Sequence, residues 1–300
     1  MFTLKFYNHL YYWIGLFFLF LNKIRHSIQG YTNPRPFPIT EVKKAIEYDF
    51  NVIDQWIKVL DEYSGSKSIL KGKTILELGP GADLGIGIIT LMKGARKYNA
   101  IDVNNLIDTA LEQFYEELFK YIEDIKDKER DIDYLRSQLK LTQRRENDKL
   151  NYLVDKEFDI SIFKEEDIDL IFSQAAFEHF DNIKKTISQL KFLKSGTVLI
   201  AEVDLKTHTR WIRDLDPLNI YRYSDFIYNL FKFSGLPNRL RPFEYKEIFE
   251  KCGWTKIRII PLTKLEEGYL LRVNKSLNKR FHDKINQMDF LSIIICATKE

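Results

Sequence analysis

The chain has 300 residues, of which 45% are apolar and 30% are charged, as in folded globular proteins rather than disordered ones. Lys and Arg total 46 against 43 Asp and Glu, so the net charge of +3 is too small for a dedicated nucleic-acid binder. Two cysteines, Cys252 and Cys296, exclude a disulfide framework and an all-cysteine metal site. The composition therefore predicts a cytoplasmic protein with one large domain.

The first 30 residues form an apolar arm. Residues 10–21 are apolar throughout, Lys23 and Arg25 follow them, and no Asp or Glu precedes Glu41. This pattern favours a helix in the interface of an anionic membrane, which would place the protein peripherally on the inner face of the cell membrane. The first alternative is an arm that packs on its own domain or on a partner subunit. A cleaved or membrane-spanning segment is the second, although residues 6–21 reach only ~24 Å in a hydrocarbon core ~30 Å thick.

After a proline-broken linker at 31–38, the hydrophobic pattern predicts a domain over 39–300 in which helices and strands alternate. The predicted strands are 73–78, 98–102, 167–173, 197–203, 254–261 and 290–298. The predicted helices are 39–63, 85–97, 183–193 and 242–252, with helical insertions at about 104–150 and 211–241. This order is typical of an α/β fold with a doubly wound, mostly parallel, Rossmann-like sheet.

A glycine-rich turn follows the first predicted strand, in the run Glu-Leu-Gly-Pro-Gly-Ala-Asp-Leu-Gly at 77–85. Glycine permits a tight turn there and lets a ligand approach main-chain N–H groups. Asp102 ends the next strand, where an acid can bind ribose hydroxyls. Three residues separate Gly81 from Gly85, unlike the two of the dinucleotide fingerprint, and this disfavours a nicotinamide-dependent oxidoreductase.

The turn at 77–85 resembles motif I of class I S-adenosylmethionine-dependent methyltransferases. Further segments similar to this family, in the same order, are 169–179, 193–202 and 243–254. The resemblance covers about 73–298 and extends to the methyltransferase type 11 group. It implies a seven-stranded sheet, S-adenosylmethionine as cofactor and methyl transfer. Residues 203–208, 216–225 and 238–241 look similar to a subgroup associated with bacterial surface polysaccharide assembly.

The resemblance also implies which residues contact the cofactor. Glu77 would approach its methionine part, and Asp102 would hold its ribose hydroxyls. The implied floor of the site is Gly79, Pro80 and Gly81. Asp159 or its neighbour Ile160 lies where the family's adenine-contacting loop falls, and Ser173 lies in the segment that resembles the fourth strand.

Two histidines are candidates for the general base that a hydroxyl acceptor needs. His208 and His179 each follow a predicted strand, at the sheet edge where ligands bind in open α/β folds. Asp204 precedes His208 by four residues and could orient its imidazole, so His208 is the first candidate and His179 the second. A purely structural role is the alternative for each. The five histidines are scattered without ligand spacing, so no metal site is expected.

These observations predict a methyltransferase that acts on a small-molecule acceptor, either a saccharide or a lipid-linked molecule at the membrane face. One alternative is a quinone or other lipid methyltransferase, which the apolar arm suggests. The other is a non-catalytic binding subunit that retains the methyltransferase fold.

Overall fold

The computed structural model describes residues 2–30, 36–67, 70–126, 128–146 and 148–300, so most of the predicted linker lies outside the described residues. The strands are β1 (Thr74–Leu78), β2 (Lys97–Asp102), β3 (Leu150–Val154), β4 (Leu170–Gln174), β5 (Val198–Asp204), β6 (Trp254–Lys264) and β7 (Phe290–Lys299). The helices are α1 (Phe2–Gln29), α2 (Val42–Ser64), α3 (Gly85–Met92), α4 (Glu112–Glu123), α5 (Ile132–Gln143), α6 (Ile183–Gln189), α7 (Asp225–Leu230), α8 (Pro242–Lys251) and α9 (Glu267–Val273).

The strands form one sheet in the order β3-β2-β1-β4-β5-β7-β6. Strands β1 to β5 are parallel, and β7 runs antiparallel to both of its neighbours. All five residues of β1 are buried, because helices cover both faces of a central parallel strand. The predicted α/β class with a mostly parallel, seven-stranded sheet is confirmed.

Apolar layers cover the two faces of the sheet. On one face, Trp56 of α2 stacks on Phe172 of β4 with ring centroids 4.4 Å apart. On the other, Ile187 of α6 and Phe249 of α8 belong to the same buried cluster as Leu199 of β5. A third cluster joins α1 to two segments that we call the cap, residues 205–241 and 265–289.

One face of α1 packs on the cap. Leu19 is only 2% exposed, and Asn219 donates a hydrogen bond from Nδ2 to the carbonyl oxygen of Tyr11 at 2.9 Å. The hydroxyl of Tyr223 donates a hydrogen bond to the carbonyl oxygen of Tyr12, also at 2.9 Å. At Gly15 the helix lies very close to the cap, since a Cβ there would stand 2.0 Å from Oδ1 of Asn219. For this face, the alternative of an arm that packs on its own domain is correct.

The opposite face of α1 exposes a row of apolar side chains, which we call the outer stripe. Its members are 40–78% exposed and recur every three or four positions: Phe6, Leu10, Trp13, Phe17, Phe20, Ile24 and Ile28. Among the described residues, no helix combines the length and apolarity needed to cross a membrane. Both faces of α1 are therefore apolar, one packed against the cap and the other exposed to solvent.

Three elements differ from the sequence prediction. Six of the seven strands were predicted, and β3 is the one that the sequence pattern did not locate. Helix α3 ends at Met92 instead of residue 97, because Gly94 adopts a φ of +91° and turns the chain into β2. The predicted helical insertion at 211–241 contains one short α-helix, α7, and is otherwise mainly irregular.

Candidate functional site

A cavity of about 1560 Å³ opens at the carboxyl ends of β1, β2 and β4. Single-ligand pockets typically measure ~300–1,000 Å³, so this cavity has room for two ligands. The glycine turn after β1 lines one part of it. The cap lines another part, and the inner side of α1 completes the wall with Phe18, Asn22 and His26.

The glycine turn forms a wall of the cavity, which Gly79, Pro80 and Gly81 all line. Gly79 has a φ of +75° and Gly81 a φ of +86°, a region that residues with a side chain rarely adopt. A Cβ on Gly79 would also lie 2.7 Å from the Cβ of Ala176. The turn therefore presents bare main chain to the cavity, which suits the close approach of a ligand.

Asp102 lies at the end of β2 and lines the cavity, although only 8% of it is exposed. Its Oδ1 accepts a hydrogen bond from the backbone N–H of Asn104 at 2.9 Å. Burial raises its pKa to about 6, against the opposing effect of nearby backbone N–H groups. The carboxylate is thus held in place at the sheet edge and can accept hydrogen bonds from hydroxyl groups in the cavity.

Glu77 lies behind the glycine turn and is fully buried. Its Oε2 accepts a hydrogen bond from the hydroxyl of Tyr98, whereas Oε1 has no hydrogen-bond partner among the described residues. Burial raises the pKa of Glu77 to about 8. The carboxyl groups that line the cavity beside the turn belong to Asp83 and to Asp49 of α2, to which the sequence analysis assigned no role.

Two of the predicted cofactor residues do not line the cavity. Ser173 is fully buried, and its hydroxyl donates to the carbonyl oxygen of Leu78 at 2.8 Å. Asp159 accepts hydrogen bonds from the backbone N–H and the hydroxyl of Ser161, and its side chain thereby caps the turn that follows it. Each side chain therefore has a structural role, and Phe158 lines the cavity in place of Asp159.

The predicted catalytic residues lie together: His179 and His208 line the cavity, and Asp204 lies beside His208. Nε2 of His208 lies 3.5 Å from Oδ2 of Asp204 and 4.0 Å from Oε1 of Glu178. Arg213 donates to the same Oδ2 of Asp204. The ring of His179 stacks on that of His208, with centroids 4.8 Å apart and planes inclined by 26°.

The two histidines differ in electrostatic environment. Nδ1 of His179 donates to the carbonyl oxygen of Gly235 at 2.6 Å, and burial, with the charge of His208, lowers its pKa to about 4. His179 is consequently a weak base near neutral pH. Burial alone would raise the pKa of Asp204, yet its hydrogen bond to His208 and nearby positive charge hold it at about 2. The ionised Asp204 can therefore orient His208, which makes His208 the better-placed base.

Glu178 is a member of this cluster that the sequence analysis did not assign. It is 2% exposed, and neither of its carboxyl oxygens has a hydrogen-bond partner among the described residues. Burial raises its pKa well above the usual range. The only feature of the sequence that points to Glu178 is its position directly before His179.

Glu178, His179 and His208 offer ligand atoms within 4.8 Å of one another, so they are a candidate metal-binding group. However, the lone pairs of stacked imidazoles lie in nearly parallel planes. They do not converge on one point ~2.0–2.1 Å from each nitrogen, as a bound transition metal requires. We therefore interpret the cluster as a site for proton transfer.

No protein-family model matches the sequence, and no curated protein matches it. Among solved structures, a chain of the complex between the Haloferax volcanii Trm112 methyltransferase activator and a proposed methyltransferase is 15% identical, with a TM-score of 0.44. The match covers 86% of this chain and 96% of that one. Haemonchus contortus phosphoethanolamine N-methyltransferase 2, solved with S-adenosylhomocysteine, is 14% identical with a TM-score of 0.43, covering 91% of this chain and 56% of its own.

A proposed S-adenosylmethionine-dependent methyltransferase from Listeria monocytogenes is 18% identical, with a TM-score of 0.43, over 80% of this chain and 96% of that one. None of the three matches reaches 25% identity or a TM-score of 0.5. The assignment of a function to this chain consequently rests on the geometry of its own site.

Proposed function

We propose that this protein transfers a methyl group from S-adenosylmethionine to a hydroxyl acceptor. The observation that carries the proposal is one cavity with two chemically distinct parts. The glycine turn and Asp102 form one part, and the His208–Asp204 pair lies at the other. Bare main chain at Gly79 and Gly81 fits a nucleoside cofactor, and Asp102 fits its ribose.

When bound, the cofactor supplies a methyl group on a positively charged sulfur. The residues of the chain bind the two reactants in one cavity, and this positioning lowers the barrier to transfer. His208 accepts the proton of the acceptor hydroxyl, since an alcohol is a poor nucleophile until it loses that proton. Asp204 orients the imidazole, and Arg213 holds Asp204 in place.

For the acceptor, we propose a saccharide or a lipid-linked molecule, as in the polysaccharide-associated subgroup that the sequence resembles. Trp211 is 76% exposed at the cavity wall, and aromatic rings of this kind pack against sugars. Phe18 and Leu21 of α1 make part of the wall apolar, which also suits a quinone or another lipid. The outer stripe would then hold the protein on an anionic membrane surface.

Transfer of a trideuterated methyl group tests the proposal. Purified protein is incubated with methyl-labelled S-adenosylmethionine and cell-envelope extract, and saccharide and lipid fractions are analysed by mass spectrometry. We expect label in one of these fractions, and far less with His208→Ala. Cofactor binding without label in any fraction would support the alternative, a non-catalytic binding subunit.

A further inference from the structure

The sequence pointed to Glu77 as the acid that faces the methionine part of the cofactor, but Glu77 lies behind the cavity wall. Asp49 and Asp83 line the cavity in its place. Asp83 belongs to the glycine turn, and Asp49 comes from α2, 34 positions earlier in the chain. The fold therefore brings the carboxyl group of Asp49, which belongs to no local sequence motif, to the cofactor end of the cavity.

Asp49 approaches the turn more closely than a side chain there would allow. A Cβ on Gly85 would lie 1.9 Å from Oδ2 of Asp49, so glycine is needed at this position. Oδ1 of Asp83 accepts a hydrogen bond from the backbone N–H of Gly85 at 2.9 Å. Both carboxyl groups thus lie against Gly85. Burial raises the pKa of each, and the charge of Asp83 raises that of Asp49 further, so the two can retain one shared proton.

One carboxyl oxygen of the pair is buried without a hydrogen-bond partner among the described residues. Oδ2 of Asp49, a residue only 4% exposed, has no hydrogen bond among the described residues. The titratable groups that face the pair are Glu77 on β1, Tyr98 on β2, Tyr115 on α4 and Tyr48 on α2. None of these groups is a cation. A buried acidic site of this kind requires either retained protons or a positively charged ligand.

We propose that Asp49 and Asp83 bind the ammonium group at the methionine end of the cofactor. This inference rests on the proposed function and names two residues that recognise its cofactor. An ammonium group donates three hydrogen bonds and therefore matches a carboxylate pair. As the ammonium enters, the shared proton leaves to solvent, so one positive charge replaces another in the buried site. Binding of the cofactor thus releases a proton.

Calorimetry with two ligands tests this inference. S-Adenosylhomocysteine carries the ammonium group, and 5′-methylthioadenosine has the same adenosine and uncharged sulfur but no amino-acid part. For Asp49→Asn, we expect the affinity for S-adenosylhomocysteine to fall about 10- to 150-fold, as for the loss of a charged hydrogen bond. The affinity for 5′-methylthioadenosine should stay within about twofold, which also shows that the variant is folded.

Proton release is measured by repeating the titration in buffers of different ionisation enthalpy, and it should disappear in Asp49→Asn. Asp54→Asn is the matched control, because Asp54 lies on α2 but faces outward in an ion pair with Lys93. Equal S-adenosylhomocysteine affinity in Asp49→Asn and the parent would overturn the inference, as would an equal loss for both ligands. If the parent binds 5′-methylthioadenosine but not S-adenosylmethionine, the proposed function fails as well.

Discussion

The imidazole rings of His179 and His208 stack at 4.8 Å although the two residues follow different strands, β4 and β5. The stacking places two titratable rings side by side, and the hydrogen bond of Nδ1 of His179 to Gly235 fixes its tautomer. Only His208 contacts an ionised carboxylate, that of Asp204. The two rings are therefore not equivalent, and their substitution should have different effects.

Replacement of His208 tests its role as the base. For His208→Ala we expect turnover to fall about 10²- to 10⁴-fold, because a general base is lost, with cofactor affinity nearly unchanged. His282→Ala is the control, since His282 bonds to a backbone carbonyl outside the cavity and should leave turnover intact. Steady-state kinetics with the labelled cofactor measure both. Parental turnover in His208→Ala would exclude His208 from the mechanism.

The raised pKa of Glu77, about 8, predicts a pH-dependent stability. A group whose pKa is higher in the folded state stabilises the fold below its unfolded pKa, and this contribution disappears as pH rises through the folded value. Glu77→Gln imitates the protonated form and removes the effect. Without cofactor, we expect the Tm of Glu77→Gln, relative to the parent, to increase from pH 5 to about pH 8 and to level off above that pH. A constant difference in Tm across that range would contradict the assignment.

Gly15 tests the contact of α1 with the cap. Gly15→Ala should destabilise the protein by about 1–3 kcal/mol, since its Cβ would collide with Asn219 and with the hydroxyl of Tyr223. Gly268→Ala in α9 is the matched control, because its Cβ meets nothing closer than 3.9 Å. That substitution should stabilise by up to about 1 kcal/mol through helix propensity. Urea unfolding measures both, and equal effects would show that α1 does not pack as described.

The outer stripe can be tested without removing α1, whose loss would uncover the apolar cluster of the cap. Phe17→Glu places a charge in the middle of the stripe and should abolish sedimentation with anionic liposomes. Ile162→Glu introduces the same charge at an exposed position, 50% accessible, remote in sequence from α1, and should leave sedimentation unchanged. If the parent protein does not sediment with liposomes, the stripe does not bind membranes.

The sequence located the glycine turn and six of the seven strands because their signals are local. A buried strand followed by glycines, as at 74–81, is recognisable without knowledge of its neighbours. Strand β3 was missed because the charged run at 144–149 leads into it with no glycine or proline to mark a boundary with the preceding helical segment. Its residues are strand only because β2 lies beside them.

The site was predicted less completely, since parts of it come from distant segments. His208 and Asp204 are four residues apart, so their pairing could be read from the chain. Asp49 could not be assigned, because its contact with the glycine turn depends on how α2 packs on α3. Likewise, the inner and outer faces of α1 are both apolar, and only the position of the cap distinguishes them.

Calorimetry with one pair of variants tests most directly whether the glycine turn binds S-adenosylmethionine. Gly81→Val puts a side chain into the turn at a φ of +86°, while Gly65→Val imposes the same strain at the end of α2, where a Cβ meets nothing within 4 Å. We expect one-to-one binding by the parent and by Gly65→Val, and none by Gly81→Val. Equal affinity in all three proteins, or no binding by the parent, would contradict the claim.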